Sequence, residues 1–419
     1  MGCGSSKTNV VPLNNLPDAA GDNHTEETGE NNNVNVLNQD QSKKPRIDSP
    51  GAKQATEIHP FTAEDSSKME DAAAEDQREE ITAIDDCDDS AEKDEADSPD
   101  ANDAPKVKLT EEEKHQKLME RIHTKVPWLH TLETADDFTS KESISEINYI
   151  KNRIGVNKDR NKRRIYYAEL QKLNFVDLIL KIWKTLFGTN FTEKGMKTHR
   201  DVMRTSQLVI WNGTDISKEI CQEVVAKGGH SFFLECLNDE KLASSDFSNP
   251  SVVIITKGIF GVFHNLLQNT DEARTALRGQ NGVEIISSYK EKGNTMFQCK
   301  ALICLSYLVN VEENEKLISN DKTFKFMVHI LEDALEKRDH RSKKYGYSLE
   351  EIAQAINLLA ANDQNKEKLT EKGLVDKYGQ ILTGEFRTME KFQAANGLWI
   401  LAFSKKCREV ISATESCMK

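Results

Sequence analysis

Apolar residues recur with a helical period through most of the chain after residue 106. Four segments share one pattern, an apolar helix with a leucine-rich end, a polar link and a second amphipathic start, and they begin at Gly258, Lys300, Glu351 and Ala394. Superposition aligns two apolar columns eleven residues apart, namely Leu266, Tyr307, Leu358 and Ile400, then Leu277, Ile318, Leu369 and Ile411. Because apolar positions at i, i+3, i+4 and i+7 share one face, the pattern predicts packed helices.

The spacing of these columns indicates a repeat array. Successive copies are offset by 41, 51 and 42 residues, and the long interval contains a charged stretch without apolar periodicity, residues 336–348. We interpret this stretch as an inserted loop, since removing about ten residues restores a period in the range of HEAT and armadillo repeats. A divergent fifth copy begins at Leu208, and residues 166–187 fit a first or capping repeat. Thr110 is expected to cap the helix that opens the folded body.

A glycine precedes the next helix in three of the copies. These residues are Gly229, Gly282 and Gly373. A glycine at this position permits a left-handed turn between two helices. No copy can bury both of its apolar faces alone, so stacking of neighbouring copies is expected to supply the core.

The segments resemble the armadillo-repeat family, clearly over residues 208–419 and weakly over residues 166–187. The resemblance implies an all-α fold, a right-handed α-solenoid of about five to six repeats with one short and two longer helices each. It also implies that the third helices line a concave groove that binds extended peptides or partner domains. The groove candidates are Asn265, Ser306, Asn357 and Trp399.

The chain departs from importin-type arrays at the tryptophan ladder. The corresponding positions carry Gly261, Leu302, Ala353 and Ala395, so recognition of basic nuclear signals is not expected. The amides of Asn265 and Asn357 have two interpretations, contact with a bound peptide backbone or solvation of an exposed helix turn. Trp399 is more typical of repeat core than of a ligand platform. His264 has no accompanying ligand cluster and is interpreted as a packed or surface histidine.

Composition divides the chain near residue 105. Residues 1–105 carry 8 basic and 26 acidic side chains and one aromatic residue, Phe61. Such a segment buries too little apolar surface to offset its ordering entropy, so a disordered acidic tail is predicted. We interpret its acidic run as a solvated spacer, with contact to the basic body as the alternative. The folded body, residues 106–419, has a net charge of +5, which is too small to indicate nucleic-acid binding.

The chain opens with MGCGSSK, a pattern for N-terminal acylation. It predicts myristoylation of Gly2 and palmitoylation of Cys3, although a chance Met-Gly start is the alternative. Two acyl chains hold a protein on a membrane, whereas one binds only marginally. Ser49 and Ser98 each precede proline and are candidates for phosphorylation.

Other chemistry is not indicated by the sequence. The eight cysteines form no CxxC pair, Cys299 and Cys304 are expected in helix core, and neither a metal site nor a cofactor is predicted. No unbroken run of 18 apolar residues predicts a transmembrane helix. Phosphate-binding, esterase and zinc-protease motifs are absent.

These features favour a non-enzymatic scaffold with a protein partner in its groove. Lipids are expected to hold it on the cytoplasmic face of a membrane, with the plasma membrane expected, alongside a cytosolic pool. The alternative is a regulatory module acting in trans on a small GTPase or a TIR-type enzyme. A soluble nuclear transport factor is a third possibility. The partner and the oligomeric state stay open.

Overall fold

The computed structural model describes residues 109–155, 157, 159–243, 247–292 and 294–418. The predicted disordered tail, the boundary near residue 105 and four candidate sites lie outside these residues. Those sites are Gly2, Cys3, Ser49 and Ser98.

The described residues form helices and one two-stranded hairpin. The first helices are α1 (Glu111–His130), α2 (Ala135–Phe138), α3 (Lys141–Ile150), a π-helix (Lys151–Gly155), α4 (Arg160–Lys172) and α5 (Phe175–Phe187). The middle of the chain forms α6 (Lys197–Ile216), α7 (Lys218–Ala226), α8 (Gly229–Asn238), α9 (Glu240–Ala243), α10 (Pro250–Asn269), α11 (Asp271–Gly279) and α12 (Gly282–Lys290). The remaining elements are α13 (Thr295–Leu308), α14 (Val311–Asn314), α15 (Asp321–Glu336), β1 (Arg341–Ser342), β2 (Tyr347–Ser348), α16 (Leu349–Leu359), α17 (Asp363–Glu371), α18 (Leu374–Thr383), α19 (Thr388–Leu401), α20 (Lys405–Ala413) and α21 (Glu415–Met418).

The repeat is a long helix, a short helix and a third helix. Helices α6, α10, α13, α16 and α19 are the long members, and each packs against the next along the chain. The short members α7, α11, α14, α17 and α20 follow directly. Stacking joins the apolar faces into one continuous core. The predicted all-α solenoid of armadillo-like repeats is therefore confirmed.

Polar caps define the repeat register. Thr270, Asn310, Asn362 and Ser404 each accept a backbone N–H at the start of a short helix. Thr270 and Asn310 are 40 residues apart, so the cap register pairs Leu277 with Leu317, which is 5% exposed. The superposition by sequence had used Ile318, which is only partly buried. It was one residue out because this link is one residue shorter.

The left-handed turns fall close to the predicted glycines. Gly373 has φ 85°, as predicted. In the other two turns the left-handed residue is Gly228 or Asn281, one position before the expected glycine. Gly282 serves a different purpose, because a Cβ there would lie 2.5 Å from the Leu277 carbonyl oxygen. Its lack of a side chain permits close helix packing.

Three further expectations concern single helices. Thr110 caps α1 through a reciprocal capping box with Glu113, as predicted. Cys299 and Cys304 are fully buried on α13, also as predicted. Helix α10 is long and apolar enough to cross a membrane by composition, which the search for unbroken runs missed, but 78% of its apolar window is buried against neighbouring helices.

Candidate functional site: an occupied groove and an exposed terminal helix

The segment predicted as an inserted loop contains an antiparallel hairpin. Arg341 pairs with Ser348 and Ser342 pairs with Tyr347. Gly346 makes the turn with φ 80°, a conformation that favours glycine. The Tyr347 side chain is 2% exposed. The insertion is therefore a packed part of the fold.

The hairpin lies across three consecutive long helices, α6, α10 and α13. Gly346 sits over the Trp211 ring of α6, where an added Cβ would be 2.9 Å from Cζ2. Lys257 of α10 donates through Nζ to the Lys344 carbonyl oxygen at 2.8 Å. Lys300 of α13 donates through Nζ to the Tyr345 carbonyl oxygen at 3.0 Å. The hairpin backbone is thus bound on the face that the armadillo resemblance assigns to the groove.

Aromatic and basic side chains fill the space beneath the hairpin. The His264 ring packs edge-on against Tyr347 and Tyr307, with centroids 5.1 and 5.6 Å apart. The Lys300 Nζ lies 4.4 Å from the centre of the Tyr347 ring. Burial lowers the pKa of Lys300 to about 7. Burial also lowers the pKa of His264, and the nearby Glu351 carboxylate partly opposes this second shift. His264 is packed, one of its two predicted environments.

This arrangement changes the expected use of the groove. An extended peptide would have to displace the hairpin before it could contact α6, α10 and α13. Displacement would expose Tyr347 and leave the Lys300 ammonium without its two oxygen partners on the hairpin. The hairpin therefore covers the side of α6, α10 and α13 on which the resemblance predicted a groove.

Asn265 is buried between two repeats. Its side chain is 3% exposed, and Nδ2 donates to the Trp211 carbonyl oxygen and to Thr214 Oγ1, both at 3.0 Å. Both interpretations from the sequence had placed this amide at the surface. The structure instead uses it to join α10 to α6.

Asn357 and Ser306 are also internal. Asn357 donates through Nδ2 to the Gln393 carbonyl oxygen at 2.8 Å and accepts from Tyr378 Oη at 2.8 Å. Ser306 donates to the Ile303 carbonyl oxygen at 2.7 Å within its own helix. The surface placement expected for Asn357 is therefore wrong. Its amide holds the next repeat in place.

Trp399 is exposed, contrary to its interpretation as repeat core. The side chain is 57% exposed and meets Phe403 edge-to-face with centroids 5.1 Å apart. Large apolar side chains continue along the same side of α19 at helical spacing and into the turn after it, where Phe403 lies. We call this surface the terminal stripe, formed by Met389, Phe392, Trp399 and Phe403, which are 39–57% exposed.

The repeat register explains why this stripe is exposed. Trp399 lies five residues before the cap Ser404, just as Asn357 lies five residues before Asn362. Asn357 is covered by Tyr378 of its own repeat's third helix and by Gln393 of the following repeat. Among the described residues, no following repeat covers α19. Sequence periodicity showed which residues share a face but not whether a neighbour packs on it.

Catalytic chemistry is not indicated in the described part of the chain. Among residues 109–418 as described, no group of three or more His, Cys, Asp or Glu side chains is placed to hold a metal ion. Burial raises the pKa of the Cys221, Cys299 and Cys304 thiols to about 12, which disfavours the nucleophilic thiolate.

Comparison with known proteins finds similarity only at the level of structure. No protein-family model matches the chain, and no curated protein matches its sequence. A designed armadillo repeat protein in complex with the peptide (KR)4 is 15% identical, with 68% of this chain and 99% of that chain covered and a TM-score of 0.37. Computationally designed armadillo repeat proteins for modular peptide recognition are 13% identical, with 68% of this chain and 98% of that chain covered and a TM-score of 0.35. An engineered protein is 15% identical, with 68% of this chain and 97% of that chain covered and a TM-score of 0.39. At such TM-scores, the assignment of the fold rests on the chain's own helices.

Proposed function

We propose that this chain is a non-enzymatic, protein-binding scaffold held on the cytoplasmic face of a membrane, with the plasma membrane expected, by myristate on Gly2 and palmitate on Cys3. The observation that carries the binding role is the terminal stripe. Three large apolar side chains lie exposed along one side of α19, and Phe403 continues them in the turn that follows. Contiguous exposed apolar surface of this kind marks interaction sites, and tryptophan is enriched among the residues that dominate binding energy.

The partner proposed for the stripe is an amphipathic helix. Asn357, the α16 residue equivalent to Trp399, is covered by side chains of helices α18 and α19, so helices are what this position contacts in the preceding repeat. Anchors spaced along a helix dock on such apolar surfaces. The hairpin covers part of α6, α10 and α13, whereas the terminal stripe is exposed among the described residues.

Substitution of the stripe tests this docking. Trp399→Ala with Phe403→Ala should abolish labelling of direct partners by a proximity enzyme fused to the C-terminus. Ile165→Ala is the matched control, since Ile165 is also an exposed apolar residue, at 54%, but lies on α4. Circular dichroism would verify that all variants keep the same helix content. Identical partner sets for the stripe variant and the control would contradict the proposed surface.

The lipid anchor is tested separately. Gly2→Ala should lose incorporation of an alkynyl myristate analogue and move the protein to the soluble fraction, whereas Gly4→Ala should do neither. Cys3→Ser should keep myristate but bind membranes weakly, because a single myristoyl chain gives only marginal binding. Cys87→Ser is its matched control. Equal membrane recovery of the native chain and Gly2→Ala would refute the anchor.

A further inference from the structure

Three arginines contact one aspartate, Asp215, where α4, α6 and the hairpin meet, two through its carboxylate and one through its main-chain carbonyl. Arg163 Nη1 lies 3.9 Å from Asp215 Oδ2, and Arg341 Nη2 lies 3.8 Å from Asp215 Oδ1. Arg160 donates through Nη2 to the Asp215 carbonyl oxygen at 3.3 Å. We call Arg160, Arg163 and Arg341 the arginine cluster. Asp215 is its shared acidic partner, and the half-buried Glu350 faces Arg160 from α16.

The cluster keeps unused capacity for an anion. Each guanidinium has five N–H donors, and the carboxylate contacts near 3.9 Å are too long for good hydrogen bonds. The Nε of Arg163 is buried and has no hydrogen-bond partner within the described structure. Arg160 is exposed and the Arg341 side chain is 36% exposed, so a ligand can approach them. Arginine groups of this kind bind carboxylates and phosphates in a forked geometry.

The chain enters the folded body beside this cluster. The first residue of α1, Glu111, forms an ion pair with Lys162 of α4, with Oε2 and Nζ 3.2 Å apart. One turn further along α1, the His115 ring stacks on the Tyr166 ring of α4, with centroids 5.6 Å apart. Lys162 directly precedes Arg163 and lies two residues after Arg160 in α4. The first described residues therefore pack against the helix that carries two arginines of the cluster.

The segment that precedes this point is strongly acidic. Residues 85–97 contain eight Asp or Glu residues and one Lys. Thirteen residues lie between Asp97 and Glu111, so the connection covers fourteen residue steps. At about 3.3–3.6 Å per residue, this connection spans up to roughly 45–50 Å, which is ample to return to α4.

We propose that the acidic segment, residues 85–97, docks on the arginine cluster of the same chain. Its short connection to α1 makes the association intramolecular, with an effective concentration on the order of millimolar, so weak charged contacts suffice. The association is electrostatic and weakens as salt rises. A phosphate on Ser98 would add about −1.5 to −2 charges and strengthen it. This inference does not depend on the lipid anchor or on the terminal stripe.

A spin label in the acidic segment tests this docking in the full-length chain. Cys3→Ser with Cys417→Ser leaves Cys87 as the thiol to be labelled, since the other five cysteines, Cys221, Cys236, Cys299, Cys304 and Cys407, are buried. A nitroxide on Cys87 should cause a selective loss of amide NMR intensity at residues 160–164. The loss should disappear in about 1 M salt, where the Debye length is about 3 Å. A nitroxide on Cys3, with Cys87→Ser, is the control for non-specific approach.

Charge variants make the result specific to the cluster. Arg160→Gln with Arg341→Gln should abolish the intensity loss, whereas Arg153→Gln, which removes an exposed arginine outside the cluster, should preserve it. Uniform intensities, or a loss that persists in the double variant or in high salt, would overturn the proposal. The proposal would also be overturned if the backbone amides of the arginine cluster changed only when vesicles containing phosphatidylserine were added. That result would assign the cluster to the membrane surface.

Discussion

Lys300 should make the stability of this protein depend on pH. Its side chain is 1% exposed beneath the hairpin, and burial lowers its pKa to about 7 from an ordinary value of 10.5. Between these two values the unfolded chain binds a proton that the folded chain does not. The free energy of unfolding therefore rises as the pH rises from about 7 to 10.5, and the full penalty is present below pH 7.

The size of the effect follows from the pKa difference. One pKa unit corresponds to about 1.36 kcal/mol, so burial of Lys300 costs about 4 kcal/mol at pH 7 and about 2 kcal/mol at pH 9. Lys300→Met keeps the unbranched stem and removes the amine. The stability of the native chain relative to this variant should therefore increase by about 2 kcal/mol between pH 7 and pH 9. The Tyr345 carbonyl that loses its donor adds a cost of about 1–3 kcal/mol that does not change with pH.

Urea denaturation at pH 7, 8 and 9, followed by circular dichroism, measures this difference. Lys172→Met is the matched control, because the Lys172 side chain is 66% exposed, and its curve should run parallel to that of the native chain. Parallel curves for Lys300→Met and the native chain would refute the reasoning. They would show that the hairpin does not exclude water from the Lys300 ammonium.

Three other outcomes follow from the packing. Gly346→Ala should destabilise the hairpin by about 1–3 kcal/mol, because φ is positive, whereas Gly279→Ala, which meets nothing within 4 Å, should leave the urea midpoint almost unchanged. Asn357→Ala should cost about 1–3 kcal/mol and Tyr378→Phe less, and the double variant should cost less than their sum in a double-mutant cycle. Additive costs would contradict their hydrogen bond. Burial raises the pKa of the Cys221, Cys299 and Cys304 thiols to about 12, so alkylation at pH 8, read by mass spectrometry, should spare them. Early modification of these three thiols would contradict their burial.

The repeat architecture could be predicted from the sequence because it depends on local periodicity. Apolar positions at helical spacing identify the faces that must be buried, and polar residues such as Thr270 and Asn362 show where short helices begin. The position of the insertion was visible for the same reason, since residues 336–348 interrupt the period. The register failed by one residue at Ile318, where a shortened link changed the count but not the pattern.

The use of the polar residues required the tertiary structure. Asn265 and Asn357 have the same place in the pattern as groove residues of other arrays, but both donate to a neighbouring helix, and spacing along one helix cannot show this. Trp399 has core-like periodicity, yet its exposure depends on whether another repeat covers α19.

The sequence by itself determined that helices form, where they begin and which of their faces are apolar, because these properties depend on residues within a few positions of one another. Only the tertiary structure decided that a hairpin covers α6, α10 and α13 and that three arginines share Asp215. Both arrangements join residues more than a hundred positions apart, from Trp211 to Gly346 and from Arg160 to Arg341. Local patterns carry no information about such contacts, since they arise from the stacking of whole repeats.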